Sequence, residues 1–210
     1  PYYRNTFDNT IVYYFPFVDH NYEKDCQHVQ LESSDRAVTK TTVHGDIYYY
    51  NAQDNIDTSS VTGYKIYAVR SFDASYPLTV NEGITIDFDI VGYTVHLGDT
   101  LTNNGTLNIM DGRDNIGVLQ ASKTIVNESK LNLNNVTVKG VSREPLMHNK
   151  KELTLVNSTL TATSGYTYNS ITNGATAEMD DNSQFTSESR DYAVVYNSAN
   201  DFEIHNGNIN

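Results

Sequence analysis

The stretch NNGTLNIMDGRDNIGVLQASKTIVNESKLNLNN, Asn103 to Asn135, decides the fold. It holds two copies of one pattern. Asn103 is followed by the alternating apolar pair Leu107/Ile109 and then by Asp111, and Asn127 by Leu131/Leu133 and then by Asn135. A spacing of two places both members of a pair on one face of a strand. Working outward, the order returns at Asn149, Leu153/Leu155 and Asn157, at Asn173, Ala177/Met179 and Asp181, and at Asn197, Phe202/Ile204 and Asn206. The leading Asn residues are separated by 24, 22, 24 and 24 positions. A third apolar position recurs at Val138, Leu160, Phe185 and Ile209, and Asn81 with Ile84/Ile86 and Asp89 reads as a shorter copy upstream.

A repeat of 22–25 residues with several short strands and no helical periodicity predicts a parallel β-solenoid of about six or more coils. Each coil adds about 4.8 Å along the axis. A leucine-rich repeat has a similar period but needs an L-x-x-L-x-L-x-x-N core, which is absent. A β-sandwich has no reason to place Asn at near-constant intervals. At a solenoid corner Asn tolerates the left-handed backbone, and stacked amides bond from coil to coil.

Composition agrees with an all-β chain. The 210 residues include 24 Asn, 23 Thr and 16 Tyr but no Trp. There are 26 acidic against 14 basic residues, a net charge of −12. That balance argues against a nucleic-acid partner, whose phosphates are bound through Lys and Arg, and against docking on an anionic membrane. No apolar run approaches the roughly 20 residues of a membrane-spanning helix, so no membrane insertion is expected. Cys26 has no second cysteine to pair with. The chain opens at Pro1 without an initiator Met and stops at Asn210 inside the repeat, which reads as an excised fragment.

Eleven of the 16 Tyr precede residue 78 and 19 of the 24 Asn follow it, so the division expected is a Tyr-rich β-rich region over 1–76 and the solenoid over 77–210. In the first region Ile11 to Val18, with Pro16 inside, reads as an edge or bulged strand, and Asp46–Ala52 and Tyr64–Phe72 also read as strands. Asn21 to Ser34 reads as a short helix capped by Asn21. An open solenoid end exposes unpaired backbone, so this region is expected to cap the first coils or pack along them. A separate adhesive module, with the Tyr48–Tyr50 cluster as its contact surface, is the alternative.

The segment PLTVNEGITIDFDIVGYTVHLGDTLTNNGTLNIMDG (Pro77 to Gly112) resembles the segments that open pectate-lyase-like, right-handed parallel β-helix regions in secreted and surface proteins of Gram-positive bacteria. KIYAVRSFD (Lys65 to Asp73) matches the strand that leads into them, and TNNGTL is the most specific element. The resemblance covers roughly residues 65–210. It implies the architecture, an extracellular or cell-wall location, and a similarity to binding regions of serine-rich-repeat adhesins of lactobacilli. Fold alone implies no activity.

Two enzyme constellations belong to such scaffolds. Arg143-Glu144-Pro145-Leu146-Met147-His148 resembles the lyase pattern R-x-P-x-x-R with its last Arg replaced by His, yet it reads as a turn into a strand. Asp180-Asp181 resembles the adjacent pair of the hydrolases, but neighbouring coils place Val156-Asn157-Ser158 and Ile204-His205-Asn206 where a third carboxylate would be needed. His44-Gly45-Asp46 has no partner that can be placed. A glycosidase needs two converging carboxylates, and none can be assembled. Asp111 and Asp181, as candidate calcium ligands, lie three coils apart, about 14 Å, too far to share one ion. No catalytic residue, metal or cofactor is assigned; a polysaccharide lyase or glycoside hydrolase is the alternative to a binding role.

A binding role predicts aromatic rings along one side of the rod. The candidate ligand-binding residues are Tyr166, Tyr168, Tyr192 and Tyr196. Tyr168 and Tyr192 are 24 residues apart, one coil, so they are expected to stack, either as an exposed platform for a sugar's apolar face or as an interior column. The expected partners are polysaccharides or glycoprotein glycans, mucin-like or pectin-like. A net −12 surface repels acidic polysaccharides at neutral pH and less so as carboxylates protonate near pH 4–5, so binding is expected to favour acid. The sequons at Asn104, Asn127, Asn135 and Asn157 read as by-products of Asn- and Thr-rich coils.

Overall fold

A computed structural model describes residues 2–4, 11–13, 29–33, 41–44, 47–50, 63–68, 71–74, 77–113, 117–170, 174–198 and 202–210. They are all-β, and from Thr85 to Phe202 the chain winds through about five turns of a parallel β-solenoid. Each turn lays one short strand on each of three faces. The first face carries Gly63–Ala68, Thr85–Asp89, Thr106–Met110, Lys130–Asn134, Glu152–Val156, Ala175–Met179 and Phe202–His205, all parallel. The second runs from Phe72–Ala74 through Val118–Ala121 to Asn208–Ile209, and the third from Leu78–Val80 through Ile125–Asn127 to Val195–Asn197.

Alternation sets which side chains enter. Lys130–Asn134 has only Leu131 and Leu133 buried, because a pleated strand points successive side chains to opposite sides. Leu107, Leu131, Leu153 and Ala177 form one interior column, and Ile109, Leu133, Leu155 and Met179 the next. Leu119, Val138, Leu160 and Phe185 form the column on the second face, with Ile209 above them.

The register departs from the expected copies at both ends. Below Leu107/Ile109 stand Ile86/Phe88, not Ile84/Ile86, and Val80, not Asn81, lies under Asn103. At the far end Ile204 stands over Ala177 and Phe202 over Ala175, two residues earlier than the Ala177/Met179 alignment. The cause is corner length: turns between strands absorb insertions that a constant period ignores.

The leading Asn column lies inside the rod. Asn103, Asn127 and Asn149 are in register and fully buried. The Nδ2 of Asn103 donates to the Oδ1 of Asn127 at 2.8 Å, and that of Asn127 to the Oδ1 of Asn149 at 2.8 Å. Each amide also donates to a backbone carbonyl of the next coil: Asn103 to Lys130 at 2.8 Å, Asn127 to Glu152 at 2.7 Å, Asn149 to Thr176 at 2.9 Å. The following storeys are Ser170 and Asn197; Asn173 lies outside the described residues.

The second polar column works differently. Asn135, Asn157 and Asn206 have φ of 57°, 46° and 60°, the left-handed corner conformation that Asn accepts. Asp111 instead gathers backbone donors. Its carboxylate accepts from the N–H groups of Gly92 (2.7 Å), Arg113 (2.9 Å) and Gly117 (2.6 Å). Asp111→Ala removes the acceptor of all three, of which the Gly117 bond is buried and the other two part-buried, and is expected to cost roughly 3 kcal/mol in urea unfolding, with Asp111→Asn intermediate.

Within the Asn21–Ser34 segment, expected as a helix, Val29–Ser33 is a strand. It pairs antiparallel with Gly63–Ala68 and occupies the edge of the first face. The rest of the segment lies outside the described residues, as does Cys26. Tyr2–Arg4, Ile11–Tyr13, Ile47–Tyr50 and Thr41–His44 form a separate four-stranded antiparallel sheet in that order.

Candidate functional site

Three of the four proposed tyrosines meet. They sit where the corner between the second and third faces lengthens, Tyr166 and Tyr192 on the turns leading to Tyr168–Ser170 and Val195–Asn197 and Tyr196 within the latter strand. Tyr166 stacks on Tyr196 with ring centroids 5.0 Å apart and planes 29° from parallel. It meets Tyr192 edge-on at 5.1 Å and 79°. Tyr166 and Tyr192 are half-buried, whereas Tyr196 is 45% exposed. Both geometries are those that aromatic quadrupoles favour.

Tyr168 does not join them. It points into the rod, fully buried, and stacks on Phe185 at 5.0 Å with planes 13° apart. Its register partner is Val195, so the expected Tyr168–Tyr192 column is corrected: a separation of 24 residues spans a coil whose corner is longer than average. Tyr166 still belongs to the turn, whereas Thr167, Tyr168 and Asn169 are all buried. The Tyr168 hydroxyl accepts from the Nδ2 of Asn149 at 3.0 Å and so continues the interior amide ladder.

The platform is held from below. Gly165 lies so close to the preceding turn that a Cβ would sit 2.5 Å from the Glu144 carbonyl oxygen and 2.9 Å from that of Arg143. Ser164 Oγ donates to the Ser142 carbonyl at 2.9 Å. The N–H groups of Thr167 and Tyr168 donate to the Val194 carbonyl, at 3.1 and 3.0 Å, tying the two tyrosine turns together.

Down the outer column of the third face, Tyr196 is followed by Asn169 and His148. Asn169 Oδ1 accepts from Ser198 Oγ at 3.2 Å. Burial holds the His148 imidazole below its usual pKa, Lys150 adds to this and Glu144 opposes it. It is therefore neutral near pH 7, with one nitrogen to donate and one to accept. The sequence names His148 only as part of a lyase-like turn; the register is what brings it under the rings.

The other candidates take structural places. In the lyase-like segment Arg143 and Glu144 are exposed, Leu146 and Met147 are buried, and Glu144 pairs with Lys123 at 2.9 Å. Asp180 accepts from the Ser183 hydroxyl and from the N–H of Asn157 at 2.9 Å, and these bonds hold its carboxyl below the usual range, the hydroxyl most of all. No group of three His, Cys, Asp or Glu side chains suited to a metal occurs among the described residues. Nor does any helix among them have the length and apolarity to cross a membrane.

A cleft of about 570 Å³ opens at the corner between the third and first faces, lined by Glu82, Asn104, Thr106, Glu128 and Lys151 among others. Glu128 is engaged by Lys150, so its carboxylate is already neutralised. The cleft offers polar groups and no aromatic ring. Comparison of the chain with family models, with curated proteins and with solved structures finds no match.

Proposed function

We propose that this solenoid is a carbohydrate-binding, adhesin-type region of an extracellular bacterial surface protein, of the pectate-lyase-like β-helix kind. Its ligands are polysaccharides or glycoprotein glycans, and its contact residues are Tyr166, Tyr192 and Tyr196. The observation that carries the reading is the three-ring cluster at the surface, one ring of which is 45% exposed. A sugar's C–H face covers such a ring with little loss of side-chain entropy, because tyrosine has only two rotatable torsions. His148, two storeys along the same column and half-buried, supplies a polar partner for hydroxyl groups.

Titration with soluble pectin and mucin glycans tests this. Tyr196→Ala is expected to weaken binding about tenfold or more, the equivalent of one lost stacking contact of roughly 1.4 kcal/mol. Unchanged affinity in both Tyr196→Ala and Tyr166→Ala removes the platform from the site. The net charge of −12 adds a pH dependence. Polyuronate binding is expected to rise from pH 7 to about pH 4.5 as surface carboxylates protonate, while a neutral glycan shows no such rise. Equal polyuronate signal at both pH values overturns the charge argument.

A further inference from the structure

On the outer side of the second face, two polar contacts link three coils. His96 Nδ1 lies 3.1 Å from Asp73 Oδ1, and His96 Nε2 lies 2.7 Å from Ser122 Oγ. Asp73 and His96 are register partners on Phe72–Ala74 and Thr94–Leu97. Ser122 follows Val118–Ala121, whose Ala121 pairs with Leu97. The three residues are 23 and 26 positions apart, one coil each. Parallel stacking alone brings them together.

For a neutral imidazole, hydrogen-bond chemistry sets the proton positions. A carboxylate only accepts, so Nδ1 carries the hydrogen; in that neutral tautomer Nε2 is the acceptor, and the Ser122 hydroxyl must donate to it. This is the arrangement in which an imidazole withdraws a proton from a serine, a constellation defined by geometry and not by chain order. We propose that Ser122, His96 and Asp73 form a serine-nucleophile site that hydrolyses short-chain carboxylic esters.

In the first half-reaction Ser122 Oγ bonds to the ester carbonyl carbon as its proton passes to His96 Nε2. The bond from that carbon to the alkoxy oxygen breaks, and the same proton leaves with the alcohol. In the second, a water oxygen bonds to the acyl carbon and gives its proton to Nε2. The bond from the carbon to Oγ then breaks, Ser122 recovers the proton, and the carboxylic acid departs. Ester and water are consumed; alcohol and acid are produced.

The developing oxyanion has a donor nearby. The backbone N–H of Lys123, one residue past the nucleophile, makes no hydrogen bond to the described residues. The N–H that follows a nucleophilic serine is the oxyanion donor in hydrolases with strand-to-turn nucleophiles. The site lies on an open face with His96 33% exposed, which suits a small acyl group carried on a larger alcohol.

The test uses the whole chain with a fluorophosphonate probe and with p-nitrophenyl acetate. One equivalent of phosphonyl adduct is expected on the peptide containing Ser122, with ester hydrolysis above buffer. Ser122→Ala is expected to abolish both, and His96→Gln to slow both by about 100-fold or more. Asp73 acts by positioning His96. Asp73→Asn is expected to lower kcat about tenfold with KM unchanged and to shift the His96 tautomer read by nitrogen NMR, and Asp73→Glu to restore part of the rate. All three side chains lie on the outer side, so circular dichroism of the variants should match the parent. Labelling that persists in Ser122→Ala, or that proceeds equally fast in His96→Gln, overturns the proposal.

Discussion

Asn127→Ala is expected to lower the unfolding free energy by roughly 3–5 kcal/mol, the range for breaking a buried hydrogen-bond network. The side chain is fully buried and its amide serves both neighbours. It accepts from Asn103, donates to Asn149, and donates to the Glu152 carbonyl. Alanine leaves the buried Asn149 oxygen and the part-buried Glu152 carbonyl without these donors. A control isolates the cause. Asn132 makes a similar rung on the outer side of the first face, donating to Asn108 at 2.6 Å, but water can replace its partner there. Asn132→Ala is therefore expected to cost about 1 kcal/mol or less. Urea unfolding of both variants measures the difference, and equal losses would mean that the interior ladder carries no special weight. Because each coil contacts only its neighbours, the Asn127 variant should also unfold less cooperatively, with a smaller m-value.

Tyr168→Ala is expected to cost about 3–5 kcal/mol, since it empties the space of a fully buried ring. It also strips Phe185 of its stacking partner at 5.0 Å. Tyr168→Phe keeps the ring and removes the acceptor of the Asn149 amide, whose other bonds, to Thr176 and Lys151, remain. That variant is expected to cost about 1 kcal/mol. Glycan binding should survive Tyr168→Phe, because the hydroxyl faces the core and not the platform. Loss of binding in that variant would return Tyr168 to the ligand site.

Apolar pairs spaced by two and Asn at two-dozen-residue intervals suffice for the class of fold and for the central register. Leu107, Leu131 and Leu153 stack as the spacing implies because burial allows only one phase of the pleat, and a one-residue slip would turn each leucine outward. Periodicity fails where corners vary. From Asn149 the third-face column continues after 21 residues at Ser170 and after a further 27 at Asn197, so counting in even steps lands on Asn173 instead. Corner turns face solvent and tolerate insertions, so residue spacing carries no information about how many positions they absorb.

The chain's alternation and its recurring amides thus determine by themselves that it is a parallel solenoid and which leucines fill it. Only the tertiary structure decides that Tyr168 is core while Tyr166, Tyr192 and Tyr196 share a surface, and that Asp73, His96 and Ser122 lie on three adjoining coils. Pleat phase is a local property, written in two or three consecutive residues. Which side chains become neighbours across coils depends on the hydrogen-bonded register, which is settled by the whole stack at once.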